Sequence, residues 1–148
     1  MGALADAALD AGGEVIGVLP RGLFHRELAH TGLTDLRLVD SMHERKALMA
    51  DLADGFLALP GGIGTLEELF EIWTWAQLGE HEKPVAVLNV ASYWDPLLAL
   101  VDHLVAQGFL SETDRALLLV EREPEALLTR MAEWRAPDVP RWIGREET

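Results

Sequence analysis

The sequence contains no cysteine, which excludes disulfides and thiolate metal sites and fits a cytoplasmic protein. Lysine is nearly as scarce. Only Lys46 and Lys83 occur, so an enzyme working through a lysine Schiff base would have to use one of them. The apolar runs are short, and no membrane partner is expected. The opening residues Met1-Gly2-Ala3-Leu4-Ala5-Asp6 lack a basic region and meet a carboxylate at once, so no secretory signal is expected. Positive charge is also in deficit: 12 Lys and Arg stand against 25 Asp and Glu, a formal net charge of -13. Such a surface repels a nucleic-acid backbone, and no nucleic-acid partner is expected. A small phosphate ester remains within reach, because a few local donors can hold one against the mean field.

What is present suits one globular domain. The chain has 148 residues, 49% of them hydrophobic, enough for a real core. Apolar and β-branched runs alternate with helical patterns from end to end. The pattern predicts strands over 14–19, 36–39, 56–59, 85–90 and 118–121, and helices over 2–11, 42–53, 65–78, 94–107 and 125–134. A short turn is expected over 112–116. Strands that alternate with helices and lack polar alternation imply an α/β fold, with a parallel sheet covered by helices on both faces. Residues 1–134 are expected to form the domain, and 135–148, with two prolines and mixed charge, a surface tail. A doubly wound domain normally opens with a strand whose following turn carries part of the ligand site. This chain opens directly into a helix, so an initial strand and its glycine turn are expected either to be missing from this sequence or never to have been present.

The most informative segment is Pro60-Gly61-Gly62-Ile63-Gly64-Thr65-Leu66-Glu67-Glu68. It follows the apolar run 56–59 and opens a long amphipathic stretch, so it reads as strand, glycine turn, helix start. Glycines let the backbone approach a ligand, and the helix behind them presents free N–H groups and a partial positive charge, a setting for phosphate. The spacing is neither the dinucleotide fingerprint nor a Walker loop. A carboxylate, Glu68, follows one turn inside the helix.

At 3.6 residues per turn, two charges stand out. Arg45 falls within the apolar stripe Met42, Leu48, Met49, Leu52, and Glu68 lies in line with Ile72 and Trp75. Glu67, by contrast, shares a polar line with Glu71 and Thr74. Both helices follow strands, so in a parallel sheet their first turns are expected at the carboxyl edge, where ligands bind. A structural account competes with a functional one. Thr65-x-x-Glu68 and Ser41-x-x-Glu44 both match the capping box, and Arg45 could simply neutralise Glu68. A cap alone, however, needs no three glycines ahead of it.

Other candidates carry less. His25, His30, His43, His81 and His103 show no paired metal spacing, so no metal site is expected. Trp73, Trp75 and Trp94 sit in helical patterns and read as core or subunit contacts. Arg21 and Arg26 flank a strand end, where surface exposure is the expected account. The 65–78 helix is apolar on two sides, through Leu66, Leu69, Phe70 and Trp73 and again through Ile72, Trp75 and Leu78. One side can cover the sheet, and a two-fold partner helix is the economical cover for the other, so a homodimer is expected.

At these residues the chain resembles the Lonely Guy (LOG) family, the cytokinin riboside 5′-monophosphate phosphoribohydrolases, often labelled lysine decarboxylase-like. The family's paired signatures, an Arg-Lys following a Met and a PGGxGTxxE turn, stand here as Met42-His43-Glu44-Arg45-Lys46 and as residues 60–68. Further similarity runs through Trp75-Ala76-Gln77-Leu78-Gly79, Lys83-Pro84, Leu88-Asn89-Val90 and Asp95-Pro96-Leu97. The resemblance implies a Rossmann-like domain, a homodimer, and no metal or organic cofactor. It also implies hydrolysis of the N-glycosidic bond of an adenine-type nucleoside 5′-monophosphate, to free base and ribose 5-phosphate. Arg45 and Glu68 match the catalytic pair, with Arg45 expected to position Glu68 and keep it ionised. Gly61, Gly62, Gly64 and Thr65 match the phosphate-binding turn, and Met42, Lys46, Pro60 and Ile63 complete the expected substrate-binding set. The departure is at the front, where family members carry a strand and a glycine-rich turn ahead of the segment that Met1-Gly2 resembles. A non-catalytic nucleotide carrier or regulator of the same fold is the alternative, because fold alone does not decide chemistry.

Overall fold

A computed structural model describes residues 2–23 and 32–137. His25, Arg26 and His30 lie outside the described residues, as do 138–148 of the expected tail. The chain divides into two compact units, Met1–Ala53 and Asp54–Thr148.

The first unit holds α1 (Gly2–Asp10), β1 (Ile16–Pro20), β2 (Asp35–Val39) and α2 (Met42–Leu52). β1 and β2 pair in parallel, from Ile16 opposite Asp35 to Pro20 opposite Val39. Pro20, which has no N–H to give a ladder, stands at the strand's last position. α2 begins with a capping box. The Ser41 hydroxyl accepts from Glu44 N–H at 3.1 Å, and the Glu44 carboxylate accepts from Asp40 N–H at 2.8 Å. The apolar stripe of this helix is not buried as its spacing predicts: Met42, Met49 and Leu52 are 43%, 36% and 42% exposed. No residue of α2 is fully buried, because the two short strands beneath it offer too little apolar surface to cover the stripe.

The second unit holds β3 (Phe56–Ala58), α3 (Ile63–Leu78), β4 (Val85–Leu88), α4 (Asp95–Ala106), α5 (Glu112–Ala116), β5 (Leu118–Glu121) and α6 (Pro124–Ala132). Its sheet runs β3-β4-β5, parallel throughout. β4 lies in the middle and all four of its residues are buried, as a continuous apolar strand covered on both faces must be. Ala86 and Leu88 pack with Leu119 and Leu127, and Leu59, Met131 and Trp134 close around them. Every described strand pair is therefore parallel and flanked by helices, the α/β class the alternating pattern predicts. α3 stops at Gly79, whose left-handed φ of 78° suits glycine. Gly79 and Glu80 N–H groups return to Ala76 and Trp75 carbonyls.

Between α3 and β4, His81 bridges the connection. Its Nε2 lies 2.8 Å from the Ile72 carbonyl, and its Nδ1 accepts from Lys83 N–H at 3.1 Å. The two bonds require the neutral ring with its proton on Nε2. Burial, chiefly, holds this imidazole below its ordinary value of 6.5. Below that value the unfolded chain takes up a proton that the folded chain resists, so stability falls as pH drops from 7.5 toward 5.5. Urea midpoints at the two pH values should show a steeper loss for the native chain than for His81→Gln. Equal slopes would remove His81 as the cause.

Candidate active site

In the second unit β3 and β4 run parallel, with Ala58 opposite Val87, so the glycine turn after β3 and the corner after β4 lie at one sheet edge. α3 starts at Ile63 with Gly62 as N-cap and no side-chain cap bond. The first helical donor is the Leu66 N–H, to the Gly62 carbonyl at 3.1 Å. The amides of residues 63–65 precede that bond in the free first turn. Thr65 therefore lies inside the first turn rather than at the cap. Glu68 falls in the second turn, and the Thr65-x-x-Glu68 capping box does not form at the helix start. Of the two boxes the pattern suggested, only the one at Ser41 exists.

The three glycines serve different needs. A Cβ on Gly61 would stand 2.8 Å from Thr65 Cβ and against its hydroxyl, so this glycine lets the turn close over Thr65. A Cβ on Gly62 or Gly64 would meet nothing within 4 Å. Neither has a positive φ, so neither protein packing nor backbone shape demands glycine there. A docked anion would use that open space. Ile63, between them, is 82% exposed, and Pro60 is exposed as well.

Glu68 is half-buried, whereas Glu67 beside it is exposed. Its line continues to Ile72, which is buried, and half-buried Trp75. The helical spacing thus identifies which of the adjacent carboxylates turns inward. Trp73 and Trp94 are core residues, 6% and 2% exposed.

Arg45 and Glu68 fall in different units, and each is placed within its own. In the first unit Arg45 is half-buried, and its Nε donates to the Val18 carbonyl of β1 at 3.3 Å. Met42 opens α2 with its side chain exposed, and Lys46 is half-buried one turn further. Arg21 is exposed and pairs with Asp40 at 3.1 Å, a surface contact that contributes little. Among the described residues no group of three or more His, Asp or Glu is placed to hold a metal.

The corner after β4 carries features that periodicity does not show. Asn89, 2% exposed, accepts from Trp94 N–H and donates to Asp95 Oδ1, both at 2.7 Å. That amide, followed by Ser92, holds the Asp95 carboxyl below its ordinary value. Tyr93 then donates its hydroxyl to the Gly61 carbonyl at 2.6 Å. The one available signal for this residue was its rarity, as the chain's single tyrosine.

Comparison with known proteins decides the family. Residues 1–131 match the model described as "Possible lysine decarboxylase", the family that includes the LOG proteins. The chain belongs to it. A cytokinin riboside 5′-monophosphate phosphoribohydrolase of Rhodococcoides fascians is 49% identical over 129 residues, 86% of this chain and 65% of the relative. The cytokinin riboside 5′-monophosphate phosphoribohydrolase LOG of Oryza sativa subsp. japonica is 46% identical over 134 residues, 90% of this chain and 55% of the relative. An Arabidopsis thaliana relative of that activity is 46% identical over 134 residues and is covered to 62%. The chain thus spans less than two thirds of the length of each of these LOG relatives.

Proposed function

We propose that this protein hydrolyses the N-glycosidic bond of adenine-type (cytokinin) nucleoside 5′-monophosphates to free base and ribose 5-phosphate. The observation that carries the reading is the open space at the N-cap Gly62 and first-turn Gly64 of a helix that has no side-chain cap and whose second turn holds half-buried Glu68. The activity by which the relatives are named supports it.

In this reading the phosphate docks on the amides of residues 62–65, where unpaired N–H groups and the helix dipole offset the protein's negative charge. That anchor sets the ribose at a fixed distance from Glu68. Breaking the bond from the sugar's anomeric carbon to the base nitrogen leaves positive charge on the ribose, which a carboxylate stabilises. The same carboxylate can take a proton from the attacking water, whose oxygen joins the anomeric carbon while the departing base gains a proton. Arg45 is the second catalytic residue we propose, on the match of residues 42–46 to the family signature. Met42, Lys46, Pro60, Gly61, Ile63 and Thr65 complete the proposed substrate-binding set, within a hydrolase domain of residues 1–134.

A homodimer and a cytoplasmic location belong to the same reading. Phe70 of α3 supports the dimer, being stacked on Trp73 at 6.1 Å yet 37% exposed. The absence of cysteine fits the location. Decarboxylation, which the family description suggests, would need a pyridoxal-type lysine. The two candidates sit on α2 and in the connection before β4, away from the glycine turn in sequence, and neither has a recognisable setting for that group.

The test is chromatography of products after incubation with AMP and with isopentenyladenosine monophosphate. Release of adenine or isopentenyladenine with ribose 5-phosphate is expected. Tight AMP binding without base release would make the protein a carrier instead.

A further inference from the structure

Tyr93 makes a bond that its own surroundings do not require. The residue is 50% exposed, so water could serve its hydroxyl, yet the hydroxyl reaches the Gly61 carbonyl at 2.6 Å. The backbone that delivers it is strained. Ala91 (φ 49°, ψ 33°) and Ser92 (φ 62°) are successive non-glycine residues in the left-handed region, a conformation that L side chains adopt at a cost. A buried frame holds this turn: Asn89 grips both Trp94 N–H and Asp95, and Trp94 is itself 2% exposed and meets Tyr93 edge-on at 4.9 Å.

The Gly61 carbonyl and the Gly62 N–H belong to one planar trans peptide. Fixing the carbonyl toward Tyr93 therefore turns the Gly62 N–H the opposite way. Donation to the carbonyl also polarises that peptide, so its N–H donates more strongly. Gly62 is the N-cap of α3, with open space around its Cα.

We propose that Tyr93 is a positioning residue: through the Gly61–Gly62 peptide it aims the Gly62 amide at the substrate phosphate. This rests on the phosphoribohydrolase reading above. The strained corner after β4 is then a device for placing one hydroxyl, and Asn89 is its brace.

Tyr93→Phe deletes the hydroxyl alone and keeps the ring against Trp94. KM for AMP should rise about 5- to 10-fold with kcat within about two-fold, as expected for loss of one hydrogen bond that acts on binding. The inhibition constant of ribose 5-phosphate should weaken by the same factor, and Tm should stay within about 2 °C. Unchanged KM and inhibition constant, with or without a lower Tm, would reduce Tyr93 to a structural role. A fall in kcat alone would overturn the proposal equally. If the native chain neither turns over nor binds AMP, the phosphoribohydrolase reading itself fails, an outcome distinct from an active enzyme indifferent to Tyr93→Phe.

Discussion

Glu68→Gln is expected to lower kcat for base release from AMP by about 1,000-fold while AMP affinity stays within about three-fold. Glutamine keeps the side chain's size and its place on the line with Ile72 and Trp75, so α3 should pack as before. What disappears is the charge. A neutral amide cannot stabilise the cationic ribose of the transition state and cannot accept a proton from water. The phosphate anchor, formed by backbone amides of the preceding turn, is untouched. Adenine release followed by chromatography gives the first quantity and calorimetric titration with AMP the second. Turnover within ten-fold of the native rate would remove Glu68 from the chemistry, and loss of binding would make it an anchor rather than a catalyst. Glu67→Gln is the control, because that side chain is exposed on the polar line.

The glycine turn offers a second test in which stability and activity move in opposite directions. Gly64 is helical and a methyl there meets nothing within 4 Å. Gly64→Ala should therefore stabilise the fold by up to about 1 kcal/mol, the usual gain for alanine over glycine in a helix. The same methyl would occupy the space assigned to the phosphate and raise KM by about 10- to 100-fold, as for other overpacked contacts. Gly62→Ala should raise KM similarly without the helical gain. Gly61→Ala should instead unfold more easily, by about 1–3 kcal/mol, because its methyl collides with Thr65. Thermal melts and initial rates on the three variants would measure this. A native KM in Gly64→Ala would mean that no ligand docks at the turn, and a lower Tm in that variant would mean that the space is not open.

The same turn marks how far reading along the chain could reach. The run 56–59 followed by glycines and an amphipathic stretch located β3, the turn and α3 because apolar period and glycine are local signals. The helix begins at Ile63, two residues before the Thr65 that its capping motif suggests, for a physical reason. Thr65 is a strong capping residue by type, but the free space at Gly62 lets the helix begin earlier with a bare backbone cap. Ser41 shows the opposite case, where the same motif does form a box. On α2 the 3.6-residue period was present, yet Met42, Met49 and Leu52 remain exposed, since periodicity states which residues share a face and not what lies opposite it. The contact of Tyr93 lies beyond any spacing rule: its partner is 32 residues away in sequence, and no local pattern encodes that bond.

The order of chain elements, the parallel α/β class and the inward turn of Glu68 rather than Glu67 follow from residue type and spacing alone, because each depends on neighbours a few positions apart. The division of labour among Gly61, Gly62 and Gly64, the place of the helix cap and the grip of Tyr93 on the turn were decided only when the chain folded. These depend on which atoms from distant segments approach within a few ångströms, and such distances exist only in the packed structure.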